Sequence, residues 1–152
     1  MGKCTCTHPQ IQKYRSKISG PLLDRIDIQI DVPRVEYKEL AAKIEGEDSF
    51  QIRKRVNKAR IFQEKRLSTS GLFSNSRLHS RHLKEFCRLD TQGERLLEQA
   101  VDVLGFSARA CHSVIRVGRT IADLEASPEI GRHHLAEAIA LRSFDREVLE
   151  SG

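Results

Sequence analysis

Residues 91–126 read TQGERLLEQAVDVLGFSARACHSVIRVGRTIADLEA, and this stretch decides the fold. Its first part places Leu96, Leu97, Ala100, Val101 and Leu104 on one face of a helix that Thr91 opens and Gly105 ends. Ser107 then caps a second helix, which runs to about Ala126 and stops before Pro128. At about 100° per residue, Cys111, Val114, Ile115, Gly118, Ile121 and Ala122 share one face of that second helix. Arg109, His112, Arg116 and Arg119 share the opposite face and read as a solvated basic surface, Arg109 being set apart below.

Working outward, the helical pattern continues in both directions. Leu135, Ala138, Ile139 and Leu141 mark a final helix. Upstream, Ser80 caps a short helix with Leu83 and Phe86, and residues 68–76 are a loop by composition. Ser49 is placed to cap a long helix over about 50–67, with Ile52, Val56, Ala59 and Phe62 on its buried stripe. Val35–Ile44 reads as another short helix. Thr7 and Pro9 start a helix that runs through Ile11 and Tyr14 towards Ile18, until Gly20-Pro21 breaks it. Only Ile26-Asp-Ile-Gln-Ile-Asp-Val32, ending at Pro33, alternates with period two, which predicts a strand. One strand and about six helices do not make a sheet domain. The expected class is therefore mainly α, with the strand assigned to a sheet whose other strands lie elsewhere. The same reading divides the chain at residues 33 and 34. No internal repeat is visible.

Composition narrows the setting. A length of 152 residues suits one domain, or a small domain with part of a neighbour. The net charge of +5 is concentrated between Gln51 and Arg66, where seven basic residues stand against the single acid Glu64. No run approaches the roughly 20 apolar residues that a membrane helix needs, and residues 1–6 lack the apolar segment of a secretory signal. Four cysteines without an export signal read as reduced thiols or metal ligands, which places the chain in the cytoplasm. Cys87 and Cys111 occupy apolar positions and read as small core residues. His8, His133 and His134 show no ligand spacing and read as surface.

The chemistry-bearing motifs begin with absences. No Gly-x-x-x-x-Gly-Lys-Ser/Thr loop is present to cradle phosphates. Gly-x-Ser-x-Gly, His-Glu-x-x-His and Gly-x-Gly-x-x-Gly are absent as well. Nucleotide hydrolysis by this chain alone is not expected.

Three strings are specific: Cys4-Thr-Cys6 with Gln10–Tyr14 behind it; Ile18-Ser-Gly-Pro-Leu-Leu-Asp-Arg-Ile-Asp27; and Leu104-Gly-Phe-Ser-Ala-Arg-Ala110 with Val117–Leu124 and His134–Ile139. Together they resemble the magnesium-chelatase-like AAA+ family, whose members include a ComM-like competence branch. The likeness covers nearly the whole chain. It implies that residues 1–33 are the end of an α/β AAA+ core and that residues 34–152 are the all-helical C-terminal lid. It further implies a homo-oligomeric ring, expected to be a hexamer, that uses ATP and Mg²⁺ bound by segments upstream. In that family the arginine matching Arg25 reaches into the neighbouring subunit's site as an arginine finger, with Asp24 an interface acid beside it. The arginine matching Arg109 is the sensor-2 residue, which touches the nucleotide of its own subunit. The family's Cys-x-Cys pair is usually joined by a second pair upstream to hold zinc. Here Cys4 and Cys6 would supply half of such a site.

Within the family, the Cys-x-Cys pair and the Ile-Ser-Gly-Pro-Leu-Leu string look more like the ComM-like branch, which implies DNA remodelling, than the branch that drives Mg²⁺ into a porphyrin. The basic run adds Arg53, Lys54, Arg55 and Lys58 as candidate phosphate contacts on DNA, against the plainer reading of a solvated helix face. A free-standing helical DNA-binding module and a pure oligomerisation domain are the rival readings.

Overall fold

The computed structural model describes residues 5–30, Val32, Val35, Tyr37 and 46–150, with the backbone alone described for Arg15 and residues 143–150. Cys4 and most of the expected Val35–Ile44 helix lie outside these. Among the described residues seven α-helices follow one another: α1 (His8–Arg15), α2 (Gly20–Leu23), α3 (Ser49–Leu67), α4 (Ser80–Phe86), α5 (Thr91–Leu104), α6 (Ala108–Leu124) and α7 (Arg132–Glu150). A 3₁₀ turn covers Asn75–Arg77. Among the described residues there is no strand. A parallel bridge, Leu89 to Ile130, ties the α4–α5 connection to the α6–α7 turn.

Local chemistry accounts for the boundaries. Asp48 caps α3 by accepting from the Phe50 amide at 3.2 Å. Asp90 caps α5 through Gly93 at 2.7 Å, and Ser107 caps α6 through Ala110 at 3.1 Å. The caps of α3 and α5 thus lie one residue before Ser49 and Thr91, because a carboxylate is an equally good acceptor. Gly105 closes α5 at φ +52°, a left-handed value that glycine adopts without a Cβ penalty.

The core lies under α6. Leu67, Leu78, Leu83, Cys87, Val114, Val117, Ile121, Ile130, Leu135 and Ala138 form one buried cluster, to which Leu96 and Leu97 add from α5. Helix α7 packs against both α6 and α5. At Gly118 a Cβ would stand only 3.2 Å from the Leu135 side chain, so glycine there allows α7 to approach closely.

Four expectations give way here. The run Ile26–Val32 forms no strand among its described residues. Its described part is tied to α7 instead, the Gln29 amide donating to the Leu141 carbonyl at 2.7 Å, because a ladder needs a neighbouring strand and none stands among the described residues. Helix α3 buries Ala59, Gln63 and Leu67, while Ile52, Val56 and Phe62 are exposed. Burial on this helix begins only at Ala59, and Val56 stands at the rim of a cavity shared with Asn75, Thr120 and Leu124. Arg119 is not a solvated cation but is 2% exposed at the centre of a polar network. His134, read as surface, is 1% exposed.

Candidate functional site

The turn that follows α2 carries Asp24 and Arg25, and six hydrogen bonds fasten its neighbourhood to the helical body. Ser107 Oγ donates to Asp24 Oδ1 at 2.9 Å while also capping α6. From α7, the Arg142 guanidinium donates to the Ile26 carbonyl at 2.5 Å, to the Asp24 carbonyl at 2.9 Å and to Asp24 Oδ1 at 3.2 Å. Two residues on, the Asp27 carboxylate accepts from Ser113 Oγ and from Arg116 Nη2, the latter at 3.3 Å. Charge-assisted bonds of this kind are roughly twice as strong as neutral ones.

Arg25 itself is exposed. Its Nη1 donates to the Pro21 carbonyl at 2.8 Å, one turn back. Arg109 is also exposed, in the first turn of α6 and two residues after Ser107. The two arginines therefore flank a single contact, Asp24 to Ser107. Periodicity left Arg116 as a solvated cation, yet it is half-buried and bonds Ser113 and Asp27 together with the Leu78 carbonyl.

The candidate phosphate contacts stand apart from this turn. Arg53, Lys54, Arg55 and Lys58 are all exposed on the first half of α3. Arg55 is already engaged, forming a two-pronged pair with Glu47 at 2.6 and 2.9 Å. Arg66, at the far end of the same helix, is spent on Asp123. Of the expected half zinc site only Cys6 is described, and it is exposed.

A buried network supports the frame. Asp123 accepts from Arg66 at 2.6 and 2.8 Å, from Asn75 Nδ2 at 2.8 Å and from Arg119 Nε at 3.1 Å. Arg119 also donates to the carbonyls of Ser127 at 2.6 Å and Pro128 at 2.9 Å, closing the α6–α7 turn. Burial draws the Arg119 guanidinium below its ordinary pKa, and the Asp123 carboxylate opposes that shift. Cys87 lies in the same core, where burial pushes its thiol up to about 11, so it stays a protonated, unreactive side chain.

Glu125, His133 and His134 bring three ligand atoms within 4.8 Å of one another. The Gly131 amide donates to His134 Nδ1 at 2.8 Å, which leaves the proton on Nε2, and Nε2 donates to Glu125 at 3.0 Å. With both ring nitrogens so used, His134 closes the end of α6 instead of offering a lone pair to a cation. Hydrogen bonds from His134 and then His133 hold the Glu125 carboxyl below its ordinary pKa.

Arg142 is a residue of this site that motif reading passed over. A signal was present: Leu135, Ala138 and Arg142 follow one another at helical spacing, so an arginine falls on the apolar stripe of α7. An arginine there has to find acceptors.

Comparison with known proteins bears on the family and the helical fold. Residues 46–142 match the C-terminal domain of the magnesium chelatase subunit ChlI family, a helical domain, and residues 1–40 match the ChlI family itself. The chain is 38% identical over 151 residues to the competence protein ComM of Haemophilus influenzae, covering 95% of this chain and 29% of that one. It is 37% identical over 142 residues to the YifB proteins of Salmonella typhimurium and Escherichia coli, covering 93% of this chain and 27% of each of those. The chain thus spans less than a third of the length of these relatives. With both family matches falling in order along a helical body of this kind, the chain belongs to the magnesium chelatase ChlI family.

Proposed function

We propose that this chain is the helper-arginine end of a AAA+ ATPase that works as a homo-oligomeric ring, with the phosphate loop and the Mg²⁺-holding acids in segments outside it. The observation that carries the reading is the mounting of the Asp24–Arg25 turn. Its backbone is held by a buried guanidinium, and the Arg25 head is left exposed. A guanidinium so presented stabilises charge developing on the γ-phosphoryl oxygens of ATP in a neighbouring subunit, an effect worth about 10³–10⁵ in rate. Arginine suits the task because it stays charged and offers a planar fork of donors.

Arg109 serves as the second contact, coupling the angle of the helical domain to the bound nucleotide. Both arginines flank the Asp24–Ser107 contact. If Arg109 touches its own subunit's ATP and Arg25 the neighbour's, the subunit boundary runs past that contact. Resemblance to a relative named as a competence protein favours DNA remodelling as the work done, over metal insertion into a porphyrin. In the longer protein Cys4 and Cys6 would supply two of four zinc thiolates.

Two exposed arginines give a nucleotide too few contacts to hold it. The chain alone is therefore expected to show no ATPase activity and no ATP binding by isothermal titration with ATP and Mg²⁺. Micromolar binding would overturn the assignment of the phosphate loop to another segment.

A second reading, direct contact with DNA, is favoured by one observation. The first half of α3 carries exposed Arg53, Lys54 and Lys58 beside exposed Phe50. Binding through these residues should be weak, indifferent to sequence and steeply salt-dependent. Reversing Lys54 and Lys58 to Glu should flatten the log–log salt slope on duplex DNA by about two units. Anisotropy showing no binding at low salt would leave α3 as a solvated face.

A further inference from the structure

We infer that Arg142 is the positioning residue of Arg25. This inference rests on the finger reading given above. The guanidinium of Arg142 is 4% exposed and donates to the carbonyls of Asp24 and Ile26, the residues on either side of Arg25. A third bond reaches Asp24 Oδ1, the same oxygen that Ser107 holds from the start of α6. One side chain thus grips the backbone before and after Arg25 and the acid next to it. One residue back along α7, the Leu141 carbonyl accepts from the Gln29 amide, which extends the clamp along the chain.

The chemistry of the clamp is specific to arginine. A buried cation needs several acceptors, and a carbonyl pair separated by one residue presents two in a fixed geometry. The guanidinium fork meets both at once, while a lysine ammonium is a point charge on a flexible stem. Helix α7 also packs on α5 and α6, so a shift of the helical domain is carried through Arg142 directly into the backbone of the Arg25 turn. The arrangement makes the reach of Arg25 depend on the position of α7, with no contact between Arg142 and nucleotide required.

The test uses the longer protein proposed above, carrying Arg142→Lys, Arg142→Gln or Arg25→Ala in parallel. Turnover and ATP affinity are measured for each, with hydrogen exchange of the same proteins followed at residues 24–29 and in α6. Misplacing a catalytic group by about 1 Å can cost roughly 10²-fold. Arg142→Lys should accordingly lower kcat by about that factor while KM for ATP stays within about twofold, the pattern of a lost transition-state contact. Exchange at residues 24–29 should rise while α6 stays protected. Wild-type turnover in both Arg142 variants, with Arg25→Ala inactive, would overturn the positioning role and leave the finger intact. Full activity of Arg25→Ala would instead overturn the finger reading itself. Loss of α6 protection in Arg142→Lys as well as Arg142→Gln would show that Arg142 holds the domain together, and would equally overturn the inference.

Discussion

Asp123→Ala should destabilise the helical domain by about 3–5 kcal/mol, the range found when one partner of a buried charge pair is removed. Asp123 is 1% exposed and accepts from Arg66, Asn75 and Arg119, which come from α3, the 3₁₀ turn and α6. Removing the carboxylate leaves two guanidinium groups facing a cavity. Arg119 cannot withdraw to water, because its other nitrogens are tied to the Ser127 and Pro128 carbonyls. Asn75 loses an acceptor at the same time, and an unmet buried donor costs about 1–3 kcal/mol by itself. A loss of this size is a large part of the stability of any single domain. Urea unfolding followed by circular dichroism should show the midpoint falling steeply. A loss below about 1 kcal/mol would mean that the network is filled by water and carries little.

The same network shows where the sequence was readable. Residues 91–142 were legible because helical packing follows a 3.6-residue period, and Val114, Ile121, Leu135 and Ala138 are buried as that period requires. Arg119, Asp123, His134 and Arg142 also fall on buried faces, although polarity argued for solvent at Arg119 and His134. Their partners are remote in sequence: Arg66 and Asp123 are 57 residues apart, and Arg142 and Asp24 are 118 apart. No local pattern announces such a pairing.

The segment before α3 was misread for a different reason. Ile26–Val32 alternates with period two, but a strand is a property of a pair, and the chain supplies no second strand among the described residues. Ile28, Ile30 and Val32 are exposed as a result. Helix α3 shows the same principle from the other side. Its stripe at Ile52 and Val56 has the right period, yet burial begins only at Ala59, where the body of the domain starts. Of the candidate site, Arg25 and Arg109 came from resemblance to a family, and the structure adds that Asp24 and Ser107 join their neighbourhoods. Helical spacing puts Arg142 on the apolar stripe of α7, but its acceptors at Asp24 and Ile26 are visible only in the fold.

Arg25→Ala carries the largest expected effect on activity. In the longer protein, turnover should fall by about 10³-fold or more, the range for arginine fingers, while ATP binding is largely kept. The side chain is exposed and donates to the Pro21 carbonyl one turn back, so removing it costs little packing. A surface change of this kind usually shifts stability by no more than about 0.5 kcal/mol. Folding and chemistry are thereby separable: the melting temperature should hardly move while kcat collapses. Arg25→Lys should remain strongly impaired, because an ammonium cannot present the two-pronged donor geometry.

The most direct measurement of the central claim mixes two inactive proteins. One carries Arg25→Ala, and the other carries a disabled phosphate loop in the segment that binds ATP. If Arg25 acts across a subunit boundary, some neighbours in a mixed ring pair an intact nucleotide site with an intact arginine, and ATP hydrolysis returns. The account predicts that turnover rises from background on mixing and peaks near equal proportions. A mixture that stays inactive, while light scattering or cross-linking shows that mixed rings have formed, would contradict it.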